Sequence, residues 1–264
     1  MLAASLAVAA CGGGGGAAGT APHHSLPATT APPATAPTTT TSPPTTTSPP
    51  TTTSPGVPTT TTAPEPAATL SIGSSGPAVL ALQERLSALH YWLGTPDGHF
   101  GDATEQAVYA LQKVAGLVTD GVVGPATTAA LASGVVARPR SESGSGVQVD
   151  LHRGVLLIVR DGALLAALNT STGGGYVYYD NGVAAVAVTP VGQFRVEREV
   201  DGLVVSSLGE LWRPKYFYSG YAVHGESYVP PEPVSHGCVR VSVEAMDWIW
   251  ERGLMPVGSS VWIY

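Results

Sequence analysis

The chain has 264 residues, and its 12 Lys and Arg against 19 Asp and Glu give a formal net charge of -7. An acidic chain without a basic stripe or a Lys/Arg-rich run argues against a nucleic-acid partner. Its length allows one or two folded domains.

The first eleven residues form a short apolar segment that ends in small residues before Cys11. The apolar run over residues 6–10 is too short to span a bilayer. It resembles the signal segment of bacterial lipoproteins, which is cut before a cysteine that is then lipidated. No Lys or Arg precedes Cys11, so the usual positive region is missing. The resemblance implies an exported chain with a signal segment over residues 1–11 and a lipid anchor on Cys11 at the membrane.

Residues 12–68 consist almost entirely of Thr, Pro, Ala, Gly and Ser, with Glu65 as the one residue among Asp, Glu, Lys and Arg. Within residues 39–55 the sequence Thr-Thr-Thr-Ser-Pro-Pro repeats with a period of six. Such a composition cannot bury enough apolar surface to offset chain entropy. We therefore predict a disordered, polyproline-like linker over residues 12–68.

Residues 69–133 change to helical spacing. A third short helix is expected over residues 126–132, after two stretches with apolar residues on one face. The residues on those faces are Val79, Leu82, Leu86, Leu89, Ala107, Val108 and Leu111. The pairs Asp97-Gly98 and Asp120-Gly121 predict tight turns between the helices.

This segment resembles a peptidoglycan-binding type 1 module along its whole length. The resemblance implies a three-helix domain that holds cell-wall glycopeptide without doing chemistry. A helical bundle that is only a spacer stays open as an alternative, and so does a metal at His90 and His99, which are otherwise surface histidines. The matching residues are Gly73, Gly76, Val79, Leu82, Gln83, Asp97, Gly98, Phe100, Gly101, Thr104, Ala107, Val108, Leu111, Gln112, Gly116, Leu117, Asp120, Gly121, Gly124 and Thr127.

Residues 134–146 form a linker that is rich in Gly and Ser from residue 141 onward. Beyond it, residues 147–264 read as a sheet-rich α+β domain. One amphipathic helix is expected over residues 243–252, and Arg160-Asp161-Gly162 predicts a hairpin turn. The expected strands cover residues 147–151, 155–159, 163–168, 183–188, 194–200 and 261–264.

Two histidines and a cysteine lie within 15 residues of one another near the end of the chain. A thiol attacks a carbonyl as the thiolate, and a histidine can take its proton and later return it. His224 closes a short strand-like run before Gly225, and Cys238 ends the sequence Ser235-His236-Gly237-Cys238. We expect Gly237 to leave room for a substrate carbonyl to reach the backbone N–H groups around Cys238.

Other interpretations of these residues stay open on the sequence alone. Cys238 is equally typical of a small buried hydrophobe, His224 of a core histidine and His236 of a loop histidine. A disulfide between Cys11 and Cys238 is another possibility. Zinc binding by the two histidines and Cys238 lacks a fourth ligand and a common zinc spacing. We expect neither a metal nor another cofactor.

The joint pattern is similar to the L,D-transpeptidase catalytic domain, the YkuD-like fold, over residues 147–264. Arg240 stands where some members have Asn, and Glu226 where Thr is common. The matching segments are Asp161-Gly162, Thr170-Ser171-Thr172-Gly173, Thr189-Pro190-Val191-Gly192-Gln193-Phe194, His224-Gly225 and Ser235-His236-Gly237-Cys238-Val239-Arg240.

The resemblance implies a role for each matching residue. Cys238 is the nucleophile and His224 the general base and then acid, oriented by the carbonyl of Gly225. Ser235 and His236 shape the loop, and the N–H groups of Gly237 and Cys238 form the oxyanion hole. Arg240 binds a substrate carboxylate unless it makes a structural salt bridge. Tyr216, Tyr218 and Tyr221 line the cleft unless they pack in the core.

The implied reaction joins two peptidoglycan tetrapeptide stems by a 3→3 cross-link through a cysteine thioester, which carbapenems would also form. Water as acceptor would give a carboxypeptidase. A non-catalytic wall-binding lipoprotein and a related amidase or wall ligase are the alternatives. We expect a monomer on the extracytoplasmic face, with peptidoglycan as both substrate and binding ligand.

Overall fold

The computed structural model describes residues 69–141 and 143–264. The predicted signal segment, the lipidation site Cys11 and the linker over residues 12–68 lie outside the described residues. None of the helices in the described part combines the length and the apolar character that crossing a bilayer requires.

Three helices make up the N-terminal module, as the spacing of apolar residues predicts. Proline stands in the first turn of the first and third helices, where its missing N–H costs nothing. The second helix ends at Gly116, which has a left-handed conformation with φ of 66°. The helices are α1 (Pro77–Ala88), α2 (Asp102–Ala115) and α3 (Pro125–Ala132).

A buried glutamine holds each of the two Asp-Gly turns of the module. The Oε1 atom of Gln83 accepts from the N–H groups of Asp97 and Gly98 at 2.9 and 2.7 Å. The Oε1 atom of Gln112 accepts from the Gly121 N–H at 3.0 Å. Both amides are almost fully buried, so the polar groups of the turns find their partners inside the module.

Two five-stranded sheets and one hairpin form the C-terminal domain. The first sheet has the order β3-β2-β1-β12-β6, the second has β11-β10-β9-β7 with β8 paired to β9, and β4 pairs with β5. Helix α4 (Val243–Glu251) packs on the second sheet. The strands are β1 (Gly146–Asp150), β2 (Val155–Arg160), β3 (Ala163–Asn169), β4 (Val177–Asp180), β5 (Val183–Val186), β6 (Gly192–Arg195), β7 (Arg198–Glu199), β8 (Leu203–Ser206), β9 (Gly209–Tyr218), β10 (Tyr221–Glu226), β11 (Val239–Ser242) and β12 (Ser260–Ile263).

The single strand expected over residues 194–200 is wrong, because the chain changes sheets there. Strand β6 pairs with β12 in the first sheet, and β7 pairs with β9 in the second. Between them Val196 is buried, and its N–H donates to the carbonyl of Ser259 at 2.9 Å. The apolar run is therefore two short strands joined at a corner.

The module and the first sheet share one hydrophobic core. Strand β2 is buried on both faces: Leu156 and Ile158 face the core of the C-terminal domain, whereas Val155, Leu157 and Val159 pack with the helices of the module. Strand β3 is at the edge of its sheet, and residues 90–92 of the module cover that edge. Tyr91 forms an isolated parallel bridge with Ala167, so the module is hydrogen-bonded to this edge of the sheet.

Candidate active site

His224 lies on strand β10, and Cys238 directly precedes β11, the parallel neighbour of β10. In the pairing of β10 with β11, His224 is opposite Arg240. Cys238 comes two residues before Arg240. The charge of Arg240 acts on both His224 and Cys238, so the three groups lie near one another.

His224 is a buried side chain whose ring is fixed by its own backbone neighbour. The Nδ1 atom lies 2.9 Å from the carbonyl oxygen of Gly225. A carbonyl only accepts, so Nδ1 carries the proton and Nε2 is the free acceptor in the neutral ring. Burial lowers the pKa of His224, and the hydrogen bond with Gly225 partly offsets this.

Cys238 forms no disulfide within the described part of the chain. Burial raises the pKa of its thiol, while a hydrogen bond from the backbone of Ala222 and the charge of Arg240 lower it by less. A raised cysteine pKa and a lowered histidine pKa both favour neutral groups. Both shifts therefore disfavour a thiolate–imidazolium ion pair of Cys238 and His224.

The loop before Cys238 is held by hydroxyl groups. The Ser235 Oγ donates to the carbonyl of Cys238 at 2.6 Å and accepts from the Gly237 N–H at 3.0 Å. The Thr189 Oγ1 donates to the carbonyl of Gly237 at 2.8 Å and accepts from the Gly173 N–H at 2.9 Å. Ser235 is buried and bonded on both sides, so the geometry of this loop is set by fixed partners.

Gly237 has no room for a side chain. Its φ is 139°, and a Cβ atom there would lie 2.4 Å from Cε1 of Tyr221 and 2.7 Å from the carbonyl oxygen of Val188. The ring of Tyr221 fills the space in which a side chain of residue 237 would stand. The Gly237 N–H is also bonded to Ser235, so it is not free for an oxyanion in this structure.

The remaining site candidates separate into two groups. Tyr221 contacts the loop at Gly237 and stacks with the half-exposed Tyr218 at 6.3 Å between ring centroids. Tyr216 is buried, and the guanidinium of Arg198 lies 3.4 Å from the centre of its ring. Tyr216 therefore packs in the core and does not line the cleft.

Arg240 faces Glu226, the residue that departs from the expected pattern. The Nε atom lies 3.5 Å from a carboxylate oxygen of Glu226, beyond a good hydrogen bond. Among the described residues, Nε of Arg240 is the one buried side-chain nitrogen or oxygen atom without a hydrogen-bond partner. The ion pair is present but leaves hydrogen-bonding capacity unused.

The sequence profile of the L,D-transpeptidase catalytic domain matches residues 144–263, and that of a peptidoglycan binding domain matches residues 75–131. The L,D-transpeptidase of Xylanimonas cellulosilytica, known from a crystal structure, is 50% identical with a TM-score of 0.73. The match covers 77% of this chain and 99% of that one. The chain belongs to the L,D-transpeptidase family.

Other relatives match only a part of this L,D-transpeptidase. An N-acetylmuramoyl-L-alanine amidase of Bacillus licheniformis is 36% identical over 119 residues, 43% of this chain and 33% of the amidase. A zinc D-Ala-D-Ala carboxypeptidase of Streptomyces albus G is 48% identical over 64 residues, 22% of this chain and 24% of the carboxypeptidase. The chain spans a third or less of these two relatives, and the amidases match in its peptidoglycan-binding part.

Tyr176 and Tyr178, two tyrosines beside the cysteine loop of this L,D-transpeptidase, are not predicted from the sequence. The ring centroids of Tyr178 and Tyr176 lie 4.7 and 5.7 Å from that of His236. Burial raises the pKa of Tyr178, and the nearby Tyr221 and Cys238 add smaller contributions. The run of aromatic residues at 176–179 was the available signal, but it does not show which loop the hairpin would meet.

The alternative of a zinc site at His224, His236 and Cys238 has no support from a cluster of ligands in the described part of this L,D-transpeptidase. Over residues 69–141 and 143–264, no three His, Cys, Asp or Glu side chains converge as metal ligands. His236 lies between tyrosines, and His224 is bonded to Gly225 through Nδ1.

Proposed function

We propose that this chain is a cysteine-dependent L,D-transpeptidase that acts on peptidoglycan tetrapeptide stems and forms 3→3 cross-links. One observation carries the proposal. Nδ1 of His224 is bonded to the Gly225 carbonyl, which leaves Nε2 as a free acceptor, and Cys238 directly precedes the strand that pairs with the strand of His224. This is the arrangement that a general base and its nucleophile need.

The first half of the reaction forms a thioester. The Cys238 sulfur attacks the carbonyl carbon of the third stem residue, while Nε2 of His224 takes the thiol proton. The carbon–nitrogen bond to the terminal D-Ala then breaks, and His224 returns the proton to the leaving amine. The carbonyl carbon stays bound to sulfur as the acyl-enzyme.

The second half transfers the acyl group to an amine of another stem. The amine nitrogen attacks the thioester, and His224 takes one of its protons. The carbon–sulfur bond breaks, the proton returns to sulfur, and a new amide bond joins the two stems. Water in place of the amine would release a free carboxylate, which is the carboxypeptidase outcome.

The developing oxyanion needs backbone N–H donors. The N–H of Cys238 is the donor that we assign. The N–H of Gly237 would first have to leave its bond with Ser235. Gly225, Ser235 and His236 act by holding the imidazole and the loop.

Substrate recognition is assigned to residues at the rim of this face. The Nε atom of Arg240 has no hydrogen-bond partner, and the charge of Arg240 acts on both His224 and Cys238, so a substrate carboxylate could replace its long contact with Glu226. Tyr221 and Tyr218 form a stacked pair beside the loop. They offer an apolar wall to the stem.

The module over residues 69–133 would hold the enzyme on its polymeric substrate. The 134–146 segment joins it to the catalytic domain over residues 147–264. We further propose a monomer outside the cytoplasm that is anchored through lipid on Cys11 and a linker over residues 12–68, with no nucleic-acid partner.

Incubation of purified tetrapeptide muropeptides with the full chain tests the proposal. Mass spectrometry should find cross-linked dimers that have lost one D-Ala, and Cys238→Ala should form none. A carbapenem should add its mass to the wild-type chain and leave Cys238→Ala unchanged.

Each other outcome identifies an alternative. Tripeptides without dimers indicate a carboxypeptidase, and cleaved lactyl-amide bonds indicate an amidase. Unchanged muropeptides and no carbapenem adduct, in a chain that still binds cell walls, would leave a non-catalytic wall-binding protein.

A further inference from the structure

Helix α2 of the module contacts the chain segment between His224 and Cys238. The amide of Gln106 on α2 donates from Nε2 to the carbonyl of Val229 at 2.9 Å. Asn169, the last residue of β3, donates to Oε1 of Gln106 at 2.7 Å and to the same carbonyl at 3.2 Å. All three residues are buried. A side chain of the binding module thus fixes the path of the loop that leads to the cysteine.

Lys113, two turns further along α2, binds the side-chain oxygen of the same Asn169. Its Nζ donates to the carbonyls of Gly154 and Thr170 at 2.9 and 3.1 Å and to Oδ1 of Asn169 at 2.5 Å. Burial lowers the pKa of Lys113 to about 8. Gln106 and Lys113 together leave Asn169 one orientation, because its oxygen faces a donor and its nitrogen faces two acceptors.

The chain beyond Asn169 carries this constraint to the reacting residues. The Ser171 Oγ donates to the carbonyl of Glu232 at 2.7 Å and accepts from the Val234 N–H at 3.0 Å. The Ser235 N–H donates to the carbonyl of Thr172 at 2.9 Å. Hydrogen bonds and the covalent chain of residues 169–172 together connect α2 with Ser235, whose hydroxyl donates to the carbonyl of Cys238.

We infer that Gln106 is a positioning residue for Cys238, so that the peptidoglycan-binding module is a structural part of the catalytic centre. The inference rests on the proposed role of Cys238 as nucleophile. Residues 227–234 belong to no helix or strand, so side-chain bonds must fix their course. Without the Gln106 amide the Val229 carbonyl loses its shorter bond, and the loop that ends at Cys238 is free to shift.

A displacement of about 1 Å at a reacting group can cost on the order of 100-fold in rate. Gln106→Met keeps the length of the side chain and removes its donor and acceptor. We expect kcat to fall by roughly 10- to 100-fold, with KM for the stem and affinity for intact cell walls unchanged. The rate at which iodoacetamide modifies Cys238, followed by peptide mass spectrometry on the full chain, should change as well.

Gln148→Met is the matched control. Gln148 is as buried as Gln106, and its Oε1 accepts from the backbone N–H of Arg140 at 2.7 Å, in the connection before β1. We expect the control to lose stability but to keep kcat and the alkylation rate of Cys238. A Gln106→Met chain with unchanged kcat and alkylation rate would overturn the inference, as would equal losses in both variants.

Gln106→Glu provides a second measurement if the methionine variant does not fold. A protonated carboxyl can accept from Asn169 and donate to Val229, but a carboxylate can only accept. Activity relative to the wild type should therefore fall as the pH rises through the pKa of the introduced group. A pH-independent ratio would contradict the inference. The alkylation rate reports the loop geometry even if Cys238→Ala keeps its activity, so the two proposals fail separately.

Discussion

At the scale of single residues, the protonation of two side chains sets the chemistry. His224 is buried and Cys238 partly buried, and desolvation disfavours the charged form of each. The active form under the proposed mechanism is the neutral pair, because His224 must accept a proton that Cys238 still holds. This form predominates between the lowered pKa of the histidine and the raised pKa of the cysteine.

We therefore predict a broad pH profile for kcat/KM. The acid limb should lie below the ordinary histidine pKa of 6.5, and the alkaline limb above the ordinary cysteine value of 9.0. The charge of Glu226 raises the pKa of His224, so Glu226→Gln should move the acid limb to lower pH. Steady-state rates from pH 4 to 10 check this, and an upward shift in the variant would contradict it.

Gly237 gives a second prediction at this scale. Gly237→Ala places a Cβ against the ring of Tyr221 and the carbonyl of Val188 at a φ of 139°. We expect a loss of about 2–4 kcal/mol in the free energy of unfolding and little remaining thioester formation.

Gly202→Ala is its control, because φ is 148° there and no atom lies within 4 Å of the added Cβ. Urea unfolding and carbapenem acylation measure both variants. Equal effects in the two would mean that backbone strain, and not the contact with Tyr221, makes Gly237 necessary.

At the scale of elements, the helices and about half of the strands follow from apolar spacing, whereas strands β4, β8, β9 and β11 and the corner at Val196 do not. Residues 194–200 look like one strand because the pattern cannot reveal a change of sheet at Val196. Thr189 lies in a recognised motif, but its bond to Gly237 spans 48 residues. The bond from Gln106 to Val229 spans 123 residues. Contacts at such separations depend on the folded topology, so the sequence pointed to the proposed nucleophile and base but not to the groups that hold them.

The Asp-Gly turns of the module allow a prediction about an element. Gln83→Leu would leave the N–H groups of Asp97 and Gly98 and the carbonyl of His99 without their buried partner. We expect a loss of about 2–4 kcal/mol in the free energy of unfolding, measured by urea titration. The exposed Gln193 is the control, and its change to Leu should have an effect within about 0.5 kcal/mol. Similar losses in both would contradict the role given to Gln83.

At the scale of the molecule, the apolar strand β2 joins the module to the catalytic domain. A strand that is apolar at five successive positions, Val155 to Val159, needs cover on both faces. The sequence indicated that run but not what covers it. The cover is the module, so the two parts share a core rather than only a linker.

We predict a single cooperative thermal transition for the described part of the chain. The residues of β2 and β3 that pack on the module would be exposed if the module unfolded first, so the two parts stabilise each other. Differential scanning calorimetry of residues 69–264 measures this. Two separated transitions would show that the shared core contributes little. A chain of residues 134–264 should bind a hydrophobic dye that the longer chain does not.

The bridge between Tyr91 and Ala167 also fixes the distance between the module and the catalytic domain. A module on a flexible linker would sample many separations from the catalytic thiol, but a module added to the edge of the sheet has one. A glycan strand bound by such a module would reach the cysteine at a fixed distance from the point where it is bound. The spacing of cross-links along that strand would then be a property of the fold.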